Sequence, residues 1–288
     1  MKRLLQLILC CAIFLPAAVF AVPPHPDLLK KWEKEGVLTK KMAAFNYAQA
    51  VKGYDRVSRS FPTSGTRNVL VVLVNYSDTS FDSASTKDFY KNLFETGTGL
   101  TWKKYYQDMS NGDLTLTFDI YGPYNASNAH NYYGTNDSTG SDSHPAELVT
   151  EAVTDLIADK GATVDFSIYD NDGDGNVDSV IVIHQGPGEE VSGSANDIWS
   201  HASSITDITS DGVKFNTYAV QPEYLAAAGD STIGVFCHEF GHVLGLPDTY
   251  DTTVISQNPT TYQTAGIGQW SLMAGGTGNG PAGPGGSG

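Results

Sequence analysis

Residues Asn68 to Val74 read Asn-Val-Leu-Val-Val-Leu-Val, a continuous apolar run that predicts a strand buried on both faces. Leu114 to Tyr121 instead alternates apolar residues with threonine and aspartate, the pattern of a half-exposed strand. Ser179 to His184 and Val213 to Val220 are two further strands. Helical spacing is strongest from Pro145 to Lys160, where Leu148, Ala152, Leu156 and Ile157 recur and Gly161 closes the segment. Thr86 to Phe94 and Trp102 to Met109 also read as helices, the second ended by Asn111-Gly112-Asp113. Asp27 to Glu35 and Thr39 to Val51 are short helices separated by Gly36. Residues 124–143 read as a long surface loop, and Gly186 to Ser194 as a glycine-bearing one.

The first 21 residues stand outside this pattern. A short basic start, an apolar stretch from Leu4 to Phe20, and Val19 and Ala21 at the cleavage positions make residues 1–21 a secretory signal peptide. The expected location is therefore extracellular. No other run approaches membrane-spanning length, so no membrane is expected as a partner once the signal is removed. Cys10 and Cys11 leave with it, and Cys237 alone can form no internal disulfide. Cys237 reads as a small apolar residue packed under a helix.

Charge separates the rest into two parts. Residues 22–67 hold nine Lys or Arg against four Asp or Glu, whereas residues 68–288 hold six against twenty-eight. The acidic body disfavours nucleic acid as a partner. The basic segment 22–67 reads as a pro-segment lying against it as an internal inhibitor, removed near Arg59 or Arg67. The alternative is a helical arm retained in the mature protein. His25, set among prolines, reads as exposed, with contact to a metal in a latent form as the other option.

The chemistry concentrates in His238-Glu239-Phe240-Gly241-His242. Four residues of α-helix turn through about 400°, so the two histidines share one face and can reach a single zinc. Glu239 is one residue further round, suited to act as general base without being a ligand. Gly245 ends the helix and Pro247 prevents its resumption. Asp248, six residues past His242, is the expected third ligand. Ser271 to Gly275 reads as a tight turn carrying Met273 as a floor beneath the metal.

A second cluster, Asp170, Asp172, Asp174, Asn176 and Asp178 with Gly175 at the turn, matches the first nine positions of a D-x-D-x-D-G-x-x-D calcium loop. Position twelve is Ile181 and a strand follows, so a structural calcium site outside the EF-hand fold is expected, with Asn176 offering its backbone carbonyl. His184 and His201 read as structural histidines, with substrate or a second metal as the alternative.

His238 to Asp248, Met273, Tyr169 to Asp178 and Ile198-Trp-Ser-His201 resemble the immune inhibitor A family of secreted bacterial metalloproteases, within the metzincin clan. The similarity runs from about Asn68 to Gly276. It implies an α/β (α+β) metzincin-like fold, a twisted mixed sheet over an active-site helix, with zinc-dependent endopeptidase activity on proteins or peptides and bound calcium. The catalytic domain is then 68–276, and 277–288 is a Gly/Pro-rich flexible tail. Two rival readings are a zinc amidase acting on small substrates and an inactive calcium-dependent binding or adhesion domain.

Overall fold

Val69 to Val74 are all buried because their strand lies in the middle of a sheet with both faces covered. The computed structural model describes residues 20–38, 40–42, 61–138, 140–250 and 266–279. The strands are β1 Phe20–Ala21, β2 Gly65–Asn75, β3 Leu114–Asn125, β4 Val180–Pro187, β5 His201–Ser210 and β6 Val213–Tyr224, in the order β1-β5-β6-β4-β2-β3. β3, β2, β4 and β6 run parallel. β5 is antiparallel to β6, and β1 is antiparallel to β5 on its outer edge.

The helices are α1 Pro26–Lys34, α2 Lys87–Lys91, α3 Trp102–Met109, α4 His130–Gly134, α5 Pro145–Lys160, α6 Glu189–Ser192 and α7 Ile233–Val243. Thr86 and Thr101 begin α2 and α3 by accepting the amides of Phe89 and Lys104, and Pro145 opens α5. Leu148, Val149, Ala152, Val153 and Leu156 of α5 cover one face of the sheet, against Leu70, Val72, Val182 and Val220. The other face meets α2, α3 and α7. There Phe94 lies 5.0 Å from Trp102 and 4.9 Å from Phe236, above Val71, Ile181 and Ile183. At about 1.5–3 kcal/mol for each large apolar side chain buried, this aromatic cluster is a principal anchor of α7.

Several elements differ from the sequence expectation. β2 starts at Gly65, not Asn68, and Phe61 packs at 5.0 Å on Phe240 of α7. Arg67 therefore lies inside a strand, with Nη1 donating to the Asn171 carbonyl, and a cut after it would sever β2. Arg59 and residues 43–60 lie outside the described residues, as does most of the second N-terminal helix. The helix expected over Thr86 to Phe94 changes to a π turn at Asn92–Thr96. β3 runs two residues into the expected loop, and α4 and α6 are short helices inside segments read as loops. β5 was not anticipated. Thr277 and Gly278, expected in the flexible tail, are buried against α7, because Gly234 has no Cβ: one there would fall 2.1 Å from the Thr277 carbonyl oxygen. Residues 280–288 are not described.

The N-terminal segment is docked. Val22, Leu28 and Trp32 are buried, Trp199 Nε1 donates to the Val22 carbonyl at 2.7 Å, and the His25 amide donates to the Glu190 carbonyl at 2.8 Å. His25 is not simply exposed: its ring accepts the Asp27 amide and caps α1. Burial pushes its pKa down, partly offset by Asp27.

Candidate metal centre

The sequence around α7 ends the helix in a way that serves the site. Gly245 adopts φ +87°, its amide bonds the His242 carbonyl, and the Leu246 amide bonds back to the Gly241 carbonyl, both at 2.9 Å. This Schellman closure needs a left-handed residue, which glycine supplies without strain. It folds Leu246 back over the last turn, where its carbonyl oxygen sits 2.9 Å from His242 Nδ1. The Leu272 carbonyl does the same for His238 Nδ1 at 2.7 Å.

Two carbonyl acceptors place the protons on Nδ1 and leave both Nε2 atoms as lone-pair donors. Those atoms are 3.2 Å apart, and Asp248 Oδ1 lies 3.3 Å from one and 3.4 Å from the other. A tetrahedral ion with bonds of about 2.0–2.1 Å has donor–donor edges of about 3.3–3.4 Å, so the triangle fits zinc. Both imidazoles are buried, and burial pushes the His242 pKa down, favouring the neutral, ligating form. Glu239 is fully buried on the same helix, one residue past His238.

Met273 packs under α7 at Gly241, where a Cβ would fall 2.5 Å from its sulfur. The Met273 carbonyl accepts the Thr249 amide at 2.7 Å, joining the turn to the chain just after Asp248. Tyr106 of α3 donates to the Cys237 carbonyl at 2.6 Å and approaches the same glycine, its hydroxyl 3.6 Å from where a Gly241 Cβ would lie. Cys237 is buried, as expected of a small apolar residue, and burial pushes its thiol pKa well up.

In the acidic loop three carboxylates converge. Carboxylate oxygens of Asp170, Asp172 and Asp174 all lie within 4.8 Å of one another. Asp170 also accepts the amides of Gly173, Asp174 and Gly175, so backbone N–H groups offset part of its charge. Asp178 is outside that group of three. Asn176 bonds Asp174 and Asn216. Asp178 accepts the Asn171 amide at 2.7 Å, and burial, helped by the charges of Asp172 and Asp170, pushes its carboxyl up to about 6.

His184 and His201 do not join either group. His184 is fully buried with Nδ1 on the Gln185 carbonyl, and burial lowers its pKa to about 4. His201 bridges the Trp199 carbonyl and the Tyr218 hydroxyl. The orienting carbonyls of Leu246 and Leu272 escaped the sequence reading, since a backbone oxygen leaves no residue signature. Among the described residues no helix is long and apolar enough to cross a membrane.

The profile of the immune inhibitor A peptidase M6 catalytic domain matches residues 75–286. Pre-pro-metalloprotease PrtV of Vibrio cholerae serotype O1 is 30% identical over 257 residues, covering 74% of this chain and 27% of the relative. Immune inhibitor A of Bacillus thuringiensis subsp. alesti is 28% identical over 260 residues, covering 73% and 36%. The chain thus corresponds to about a third or less of the length of these relatives. With the match extending over most of the chain, it belongs to the M6, or immune inhibitor A, family of metallopeptidases.

Proposed function

We propose that this chain is a secreted, calcium-stabilised zinc endopeptidase. The observation that carries the reading is the buried triangle of His238 Nε2, His242 Nε2 and Asp248 Oδ1, with edges of 3.2, 3.3 and 3.4 Å. Three ligands leave a fourth position open for water. Zinc, when bound, supplies a Lewis acid for the scissile carbonyl and for that water. Glu239 takes the water's proton and delivers it to the nitrogen of the departing amine, a transfer helped by its place in a dry interior. Met273 serves as the Met-turn floor of a metzincin-like site.

Asp170, Asp172 and Asp174 hold calcium, and the loop spacing assigns the Asn176 backbone carbonyl and Asp178 to the same ion. Three carboxylates so near one another repel unless a cation lies between them. The basic segment acts as a pro-segment. Its docking through Val22, Leu28 and Trp32 supports that role. The apolar stretch from Leu4 to Phe20 and the "pre-pro" in the Vibrio relative's name support secretion.

The test is casein cleavage by the full chain with and without a zinc chelator, beside Glu239→Ala, with zinc content measured for both. Chelator-sensitive cleavage that is lost in Glu239→Ala with zinc retained is the expected result. Zinc retained with no cleavage by the wild type after trypsin nicking of the N-terminal segment would overturn the reading.

A further inference from the structure

The pairing of β2 with β4 begins at Leu70, opposite Val180. The first residues of β2, Gly65 to Asn68, pair only with Leu114 to Thr117 of β3 on the other edge. At Asn68 the remaining edge is filled by one residue of the acidic loop. Asn171 Oδ1 accepts the Asn68 amide at 2.9 Å, and Asn171 Nδ2 donates to the Asn68 carbonyl at 3.1 Å. A carboxamide offers the same donor and acceptor as a peptide unit, so Asn171 stands in for a neighbouring strand at this one position. Its own carbonyl accepts Arg67 Nη1 at 3.1 Å, while Arg67 Nε donates to the Ser64 carbonyl at 2.7 Å. Asn68 Nδ2 adds a bond to the Ile168 carbonyl at 3.0 Å, just ahead of the loop.

Asn171 lies between two of the converging carboxylates, with Asp170 before it and Asp172 after it. Its amide is held by Asp178 Oδ2 at 2.7 Å. The residue that closes the edge of β2 is therefore set in place by the same loop whose carboxylates repel when no cation lies between them. When that loop opens, Arg67 and Asn68 lose their contacts to Asn171 together. Gly65–Asn68 is then a strand end paired on one side, with Gly65 and Thr66 already exposed. Such ends open locally, well below the free energy needed to unfold a domain.

We propose that calcium in the acidic loop straps down the start of β2 through Asn171, and that its occupancy closes the Arg67–Asn68 bond to proteolysis. This rests on the calcium reading and adds a regulatory role to the ion. With the loop occupied, removal of the basic segment is directed away from Arg67, which leaves Arg59 of the two arginines at which a cut is expected. With the loop empty, the cut falls inside β2 and removes the first strands' shared edge instead of releasing a segment.

The test uses full-length Glu239→Gln, to suppress self-cleavage, and an arginine-specific serine protease over a series of calcium concentrations. The fragment beginning at Asn68 is followed by mass spectrometry. A free peptide of residues 61–69, cut under the same conditions, corrects for any effect of calcium on the protease, and calorimetry measures calcium binding separately. Above the dissociation constant the corrected rate at Arg67 is expected to fall about tenfold for each tenfold rise in calcium, because the ion must leave before the strand end opens. Asn171→Ala should still bind calcium, with the dependence at Arg67 flattened to less than about threefold over the same range. Exchange of the Asn68 amide, the donor to Asn171, reports the same opening without a protease and should slow in parallel. Calcium binding with no change in the Arg67 rate, or a full calcium dependence retained in Asn171→Ala, would overturn the strap and leave the calcium reading intact. No heat of binding and no effect of calcium would remove both. Calcium-free exchange at Asn68 as slow as at Val72 would show that β2 opens only as a whole and would also overturn the proposal.

Discussion

The two acidic or imidazole clusters of this chain are built on opposite plans. Around α7 the donors are buried and aimed by carbonyl oxygens, which fix imidazole protons and leave lone pairs facing one another. In the acidic loop the donors are largely exposed and are held by amides, which soften negative charge while no cation is there. A buried, preset triangle suits an ion that must stay in one place while chemistry happens beside it. An exposed loop of carboxylates suits an ion whose arrival closes the loop. The first plan is paid for by packing, the second depends on the ion.

The largest effect should fall on the first cluster. Glu239→Gln is expected to reduce peptide hydrolysis by about 10²- to 10⁴-fold with zinc content unchanged by elemental analysis. Asp172→Asn in saturating calcium should leave kcat/KM within a few-fold. Reversal of those two outcomes would break the contrast between the clusters. Calcium removal should act on stability instead. At calcium one hundred times its dissociation constant the ion contributes ~2.7 kcal/mol. Stripping it should then lower the thermal midpoint by roughly 5–10 °C for a domain of this size. An unchanged midpoint in a calorimetric scan would mean the loop is a turn without an ion.

Two glycines sharpen the same comparison at a smaller scale. Gly241→Ala puts a methyl 2.5 Å from the Met273 sulfur, an overpacking expected to cost about 1–3 kcal/mol in denaturant titrations. At Gly173, φ is +79° and nothing lies within 4 Å of the added Cβ. Gly173→Asn should therefore cost less, since asparagine tolerates the left-handed region.

The smallest effect on catalysis is expected from Glu189, which belongs to neither cluster. Burial pushes its carboxyl up to about 8, against hydrogen bonds from Asn136 and the charge of Lys41, with Glu190 and Asp197 adding to the rise. A folded pKa above the unfolded one means the contribution is full below about 4.5 and is lost as pH rises through 8. Glu189→Gln should raise the thermal midpoint at pH 8 to 9 and leave it unchanged near pH 4. The opposite trend would show that Glu189 is held as an anion.

What could be read from residues alone follows a physical line. β2, β4 and α5 were legible because their periodicities answer to burial, and α7 because two histidines four apart can serve one ion only on a helix. β5 was not, because its outward positions are polar and its inward ones few. A signal existed in Asp211-Gly212, with φ of 50° and 79°, the two-residue turn that joins β5 to β6. α6 could not be found, since it buries two glutamates that no composition rule puts inside a protein. Asp248 was found by spacing. The carbonyls that orient the imidazoles depend on how the chain closes α7 at Gly245 and on how the Met273 turn meets the helix, the second of which is a tertiary fact.

Every residue of α7 is buried, and its apolar side packs into the aromatic cluster of Phe94, Trp102 and Phe118. The reactive helix is thus part of the protein's keel. Its amides should exchange with solvent only when the whole domain opens, slower than those of the acidic loop. Zinc would then enter and leave a finished socket without any refolding. The metal-stripped protein should keep its native far-ultraviolet circular dichroism and recover full activity within the mixing time of added zinc.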